Sequence, residues 1–228
     1  MNGILLIDKP QGWTSFDVVN YVRRIVARIE GKKPRNVKVG HTGTLDPLAT
    51  GLLVLCVGKA TKQVSTLIKH DKTYEVELTL GFTSTTGDAD GELLKKNNVQ
   101  IPDALSVEQV IQSFIGEIDQ VPPAYSAIKV NGKRAYELAR AGKPVKLSTR
   151  RVQIYDISDL SYVYPYIRFT ASVGSGTYIR SLGESIGEKL GCGAYMSALN
   201  RTRVGEYVLK SAHAVTEVTE ELLQKELA

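Results

Sequence analysis

At 228 residues and 43% hydrophobic content the chain is long enough for a sizeable core, and 29 Lys and Arg against 24 Asp and Glu leave a mild basic excess that suits a polyanionic partner. The two cysteines, Cys56 and Cys192, and the three histidines, His41, His70 and His213, lack metal-ligand spacing, so no metal is expected and the thiols read as reduced core groups. The start lacks the basic and apolar segments of a signal peptide and no stretch is long and apolar enough for a bilayer, so no membrane partner and a cytoplasmic location are expected.

In chain order, Ile4 to Ile7 reads as a buried strand ended by the turn Asp8-Lys9-Pro10-Gln11-Gly12. Thr14-Ser15-Phe16-Asp17 is a capping-box start for a helix with its apolar stripe at Val18, Val22, Ile25 and Ile29, widened by Val19 and Val26. A basic loop, Gly31 to Arg35, leads to the stretch from Val39 to Leu53, which holds one acid, Asp46, among glycines, threonines and apolar residues. Pro47 has a locked φ and biases Asp46 toward an extended conformation, so the carboxylate cannot wander far. Taken alone, Asp46-Pro47 reads as an ordinary turn. Leu52 to Val57 follows as a continuous apolar strand, and Thr61 to Leu67 as a short helix carrying Lys62.

Lys72 to Leu80 alternates cleanly, with Tyr74, Val76, Leu78 and Leu80 on the inward face. Pattern alone makes Tyr74 a core residue, but its place at the strand's beginning and the need of a buried phenol for a partner keep a functional reading open. The polar loop Gly81 to Gly91 either touches a ligand, through Asp88, or closes a hairpin. Ser106 to Ile115 is an amphipathic helix, with Val107, Val110, Ile111 and Phe114 inward. A hairpin turns at Asn131-Gly132, carries Lys129, Lys133 and Arg134, and is followed by a short helix to Ala141.

Val145 to Tyr155 and Tyr166 to Val173 are two further strands. Gly174 to Arg180 enters a helix with its stripe at Ile179, Leu182, Ile186 and Leu190 and Gly191 as its C-terminal cap. Arg180, in the first turn, opposes the helix dipole and wants an anion, either Glu184 four residues on or a functional partner. Cys192 to Glu206 leads to a last helix from Thr216 to Ala228. Strands and helices interspersed without regular βαβ units give an α+β fold with a mixed, mainly antiparallel sheet and flanking helices, expected as one domain over residues 1–228.

The run Gly40-His41-Thr42-Gly43-Thr44-Leu45-Asp46-Pro47-Leu48-Ala49-Thr50-Gly51, with Gly58-Lys59-Ala60-Thr61-Lys62 after it, resembles the signature of the TruB family, the tRNA pseudouridine-55 synthases. The segments Gln120 to Ala127 and Lys129 to Gly142 resemble the family too. The resemblance implies the pseudouridine synthase fold with a central catalytic cleft. It also implies an isomerase that flips the T-loop uridine out of a tRNA and uses no cofactor. Asp46 would be the nucleophile, Arg180 its guanidinium partner, and Tyr74 the ring that packs on the base and the candidate to take the C5 proton. Tyr178, Leu199 and His41 would complete the pocket, with Lys9, Lys62, Lys129 and Asp88 as further substrate contacts. Met196 to Gly205 resembles the family strand ending in Leu-Arg-Arg-Thr, with Asn200 in place of the first arginine, which removes a charge near the site. Bacterial members usually continue into a PUA domain, which has no counterpart in this sequence, and a monomer is the default expectation.

Overall fold

The first helix starts where the capping box places it. In the computed structural model, which describes every residue except Ala127, Asn131 and Ala228, Thr14 and Asp17 exchange side-chain and backbone hydrogen bonds and the helix runs Ser15–Ile29. Its stripe, Val18, Val22 and Val26, packs with Leu5 and Ile7 of the strand Gly3–Lys9 and with Leu53, Leu55 and Val57 of the strand Thr50–Val57. The alternate residues Leu52 and Val54 join Val204 in a second cluster. Both faces of Thr50–Val57 are therefore covered, which is why its sequence is a continuous apolar run rather than an alternating one.

By its contacts the chain divides into two compact units, Met1–Glu75 with Leu199–Ala228, and Val76–Ala198; the chain passes from one to the other within the strands Lys72–Leu80 and Ala194–Val204. In the first unit, Gly3–Lys9 pairs antiparallel with Thr50–Val57 along its whole length, from Gly3 opposite Val57 to Lys9 opposite Gly51. The other edge of Thr50–Val57 is shared. Val39–His41 pairs with its end, antiparallel, and the Asn200 and Arg201 positions pair in parallel with Thr50 and Gly51 at its start. His213–Ala214 adds a short parallel strand beside Ile7 and Asp8.

In the second unit the strand order runs from Lys72–Leu80 through Tyr166–Val173 and Arg150–Val163 to Gly116–Gln120, the last pair antiparallel from Arg150 opposite Gln120 to Ile154 opposite Gly116. The helix Ile179–Lys189 buries Ile179, Leu182 and Ile186, and the helix Ala104–Gln112 buries Val107 and Ile111. The α+β class and the mainly antiparallel pairing stand as expected.

Several bounds moved for local reasons. The Asp103 carboxylate accepts the Ser106 N–H, so the helix expected from Ser106 begins at Ala104 and ends at Gln112, leaving Phe114 half-buried beyond it. The strand expected from Val145 begins at Arg150, opposite Gln120 at the end of its partner, and continues to Val163. The stretch from Thr61 to Leu67 is a 3₁₀ helix, Gly58–Gln63, followed by the single turn Val64–Leu67. The polar loop closes a hairpin, Phe82–Ser84 with Leu93–Lys95. Lys129–Val130 pairs with Lys133–Arg134 as the hairpin signal implied, although Asn131 itself lies outside the described residues.

Candidate active site

Asp46 begins a turn: its carbonyl accepts the Ala49 N–H at 3.1 Å, with Pro47 in the position where its fixed φ suits a turn. The plain reading of Asp46-Pro47 is thus correct as geometry, and what sets this turn apart is how it is held. Leu45 and Leu48 on either side are buried while Asp46 is half-buried. Ser15 Oγ accepts the Leu45 N–H at 2.8 Å and donates to the Leu45 carbonyl at 2.9 Å. The Gly12 N–H donates to the Pro47 carbonyl at 2.8 Å. Upstream, Arg201, only 2% exposed, sends Nη2 to the Gly43 carbonyl at 3.0 Å and Nε to the Leu52 carbonyl at 2.8 Å, tying the two ends of the stretch together.

Lys9, expected as a substrate contact, is instead fully buried and donates through Nζ to the Pro10 and Trp13 carbonyls at 2.9 and 2.7 Å. Burial lowers its pKa to about 8, and the nearby negative charge of Asp46 opposes that fall. Its ammonium is therefore a fixed positive charge in the neighbourhood of the Asp46 carboxylate. Lys72, also buried, donates to the Ile68 and His70 carbonyls and is lowered to about 8 by desolvation, with the Arg201 charge adding to the fall.

His41 and Leu199 are half-buried members of the same unit. His41 Nδ1 accepts the Gly43 N–H at 3.3 Å, which curls the glycine-rich stretch back on itself. The Leu199 carbonyl accepts from Thr50 Oγ at 3.4 Å, which places Leu199 beside the exit of the Asp46 stretch. Asn200 accepts from Thr50 Oγ at 3.3 Å and donates to Glu75 Oε2 at 2.8 Å, so the residue standing where the family motif has arginine is engaged by its neighbours. Tyr74 is buried on the inward face, as alternation required, and Lys62 is exposed on the 3₁₀ helix.

In the second unit Arg180 is 6% exposed, a poor place for an unpaired guanidinium. Nη1 donates to the Thr86 carbonyl at 3.0 Å and lies 3.4 Å from Asp88 Oδ2, while Nη2 donates to the Tyr125 carbonyl at 2.8 Å. Asp88, expected to touch a ligand, is buried at 3% exposure; its carboxylate accepts from Thr86 Oγ and the Asp90 N–H and faces Arg180. The anion that a first-turn arginine calls for includes Asp88, ninety-two positions earlier. Glu184, exposed on the same helix, has its carboxyl raised by partial desolvation, which the Arg180 charge only partly opposes.

Tyr178 stands immediately before this helix and is half-buried. Gln120 brackets its backbone, accepting the Tyr178 N–H at 2.8 Å and donating to its carbonyl at 3.1 Å. Lys129 is exposed on its hairpin. Sequence reasoning missed Ser15, Gln120 and Arg201. A serine at a helix start, a glutamine before two prolines and an arginine in a strand of mixed polarity carry no local sign of their distant partners. Among the described residues no group of three or more His, Cys, Asp and Glu could hold a metal ion, and no helix is long and apolar enough to cross a membrane.

Two family models cover most of the chain: the TruB family pseudouridylate synthase N-terminal domain over residues 28–179 and the tRNA pseudouridylate synthase B C-terminal domain over residues 180–227. Among curated proteins, tRNA pseudouridine synthase B of Ralstonia pickettii (strain 12J) is 48% identical over 93% of this chain and 65% of its own length. That of Clostridium acetobutylicum is 49% identical over 91% of this chain and 68% of its own length. The chain thus spans about two thirds of the length of such relatives. Among solved structures, a crystal structure of a Cbf5-Nop10-Gar1 complex matches with TM-score 0.70 at 30% identity, covering 98% of this chain and 56% of that one. An H/ACA RNP bound to a substrate RNA containing 2'-deoxyuridine matches with TM-score 0.69 at 29% identity, covering 98% and 55%.

Proposed function

Because the chain belongs to the TruB family of pseudouridylate synthases, we propose that it is a tRNA pseudouridine-55 synthase, with residues 1–228 as its catalytic part. It isomerises the T-loop uridine after turning the base out of the loop. The observation that carries this reading is 48% identity over 93% of the chain to a protein named tRNA pseudouridine synthase B. The lower identity, 29%, to the H/ACA RNP structure favours a stand-alone enzyme over an RNA-guided one.

The chemistry asks little beyond positioning and charge. The bond from ribose C1′ to N1 breaks, the uracil turns, and C1′ rejoins through C5, the proton lost from C5 being matched by one gained at N1. No electrons or external groups enter, so the residues named here suffice. Asp46 is the nucleophile, attacking the ribose or the base. An ionised carboxylate is favoured by nearby positive charge; buried Lys9 supplies one source and we assign Arg180 as the other. Asp88 then serves by holding Arg180 rather than by touching the RNA. Tyr74 packs on the everted base and takes the C5 proton, and Tyr178, Leu199 and His41 line the pocket. Exposed Lys62 and Lys129 meet the phosphate backbone of the T-stem-loop. The protein acts as a monomer in the cytoplasm.

The test is tritium release from a T-stem-loop transcript labelled at uracil C5. This chain is expected to release tritium and Asp46→Asn to fall to background. Release by Asp46→Asn at the wild-type rate would remove Asp46 from the chemistry. Retention of the transcript on a filter without any release would make the protein an RNA-binding module instead.

A further inference from the structure

The Asp46 turn is gripped on both sides by one short piece of chain thirty residues earlier. Before the turn, Ser15 Oγ forms a closed pair of hydrogen bonds with the Leu45 peptide, 2.8 Å from its nitrogen and 2.9 Å from its oxygen. After it, the Gly12 N–H meets the Pro47 carbonyl at 2.8 Å. Ser15 and Leu45 are each 2% exposed, so water cannot stand in for either bond. Ser15 is itself well anchored. It is the first residue of the helix Ser15–Ile29, whose start is fixed by the Thr14–Asp17 capping box and whose stripe is seated in the core.

We infer that Ser15 is a positioning residue for the reaction: it anchors the peptide that carries Asp46 to the rigid helix start and so fixes where the carboxylate stands against the sugar and base. The inference rests on the reading of Asp46 as nucleophile. Its logic is that of any nucleophile on a turn. Pro47 restricts only its own φ and the conformation of Asp46 before it, and a turn free to rock by an ångström loses the alignment that makes attack fast. Substrate binding spreads over many phosphate and base contacts that Ser15 does not touch. Loss of the clamp should therefore appear in the chemical step and not in affinity.

The experiment compares the wild-type chain with Ser15→Ala and Ser15→Thr on the C5-tritiated T-stem-loop, using protein in excess at saturating concentration. The single-turnover rate constant is then independent of the fraction of protein that is folded. Ser15→Ala is expected to lower this constant by about 10–100-fold while the half-saturating protein concentration stays within about twofold. Ser15→Thr, which keeps the hydroxyl, should recover most of the loss. An unchanged rate constant in Ser15→Ala, or a loss that appears in half-saturation alone, overturns the inference while leaving the proposed function standing. An inactive wild-type chain overturns that function instead. If Ser15→Ala does not fold, Ser15→Cys decides, because a thiol is too weak a donor and acceptor to replace the hydroxyl: a wild-type rate constant there refutes the clamp, and a tenfold or greater fall supports it.

Discussion

Replacing Gly51 by alanine probes the exit of the Asp46 stretch. Gly51 has φ +95°, a region where an L residue costs about 1–2 kcal/mol. It also pairs directly with Arg201 on the neighbouring strand, so an added Cβ would lie against Asn200 Oδ1, 2.5 Å from the Arg201 carbonyl oxygen and 2.8 Å from the Arg201 nitrogen. Backbone atoms cannot rotate away as a side chain can, and relieving such contacts costs about 1–3 kcal/mol more. The sum, roughly 2–5 kcal/mol, is a large share of a typical domain stability of about 5–15 kcal/mol. At about 2–4 °C per kcal/mol for a chain of this size, the midpoint of thermal unfolding followed by circular dichroism should fall by roughly 4–20 °C. Adding Asn200→Ala removes only the side-chain clash, so it should not restore the midpoint. A drop smaller than about 2 °C for Gly51→Ala, or full rescue by Asn200→Ala, would show that the strand contact is not the constraint argued here.

Further expectations concern the buried cations. Arg201→Met leaves the Gly43 and Leu52 carbonyls without their donor and should cost about 2–5 kcal/mol in urea unfolding. Arg201→Lys should recover little, since one ammonium cannot reach both carbonyls as the fork does, and a midpoint within error of wild type refutes the crosslink. Lys9 has a folded pKa of about 8 against an ordinary 10.5, so between those values the unfolded chain binds more protons and this group makes stability rise with pH. The cost of burying its charged form is present in full below that window. The unfolding free energy of wild type minus that of Lys9→Met should therefore climb from about pH 8 to 10.5; a flat difference contradicts the assignment. Arg180→Lys keeps the charge but loses the forked contacts to Thr86, Tyr125 and Asp88. Tritium release per protein molecule should drop by about a hundredfold, and wild-type release would remove Arg180 from the site.

Much of the fold was written locally. The capping box at Thr14, the alternation through Lys72–Leu80, the strand Tyr166–Val173 and the turn at Asp46-Pro47 each rest on interactions spanning a few residues, and the structure keeps them. The motif around Asp46 was equally legible, because a run of consecutive residues can be read without knowing what packs on it. The strand Gly116–Gln120 was not. Its sequence has weak alternation and is held by pairing with Arg150–Ile154.

The candidate site divides the same way. The family resemblance named Asp46, Tyr74 and Arg180, and the sequence by itself determined that Asp46 sits on a stiff turn, since proline fixes its own φ and restricts the residue before it wherever the chain goes. Only the tertiary structure decided what each charged or polar group answers to. Lys9 is an internal cation rather than a surface one, Asp88 answers Arg180 rather than solvent, and Ser15 and Arg201 reach across 30 and 158 positions to hold the stretch that carries Asp46. Such pairings are selected by the requirement that every buried polar group find a partner. That requirement is met only once the core has closed, and it leaves no mark on the residues adjacent in the chain.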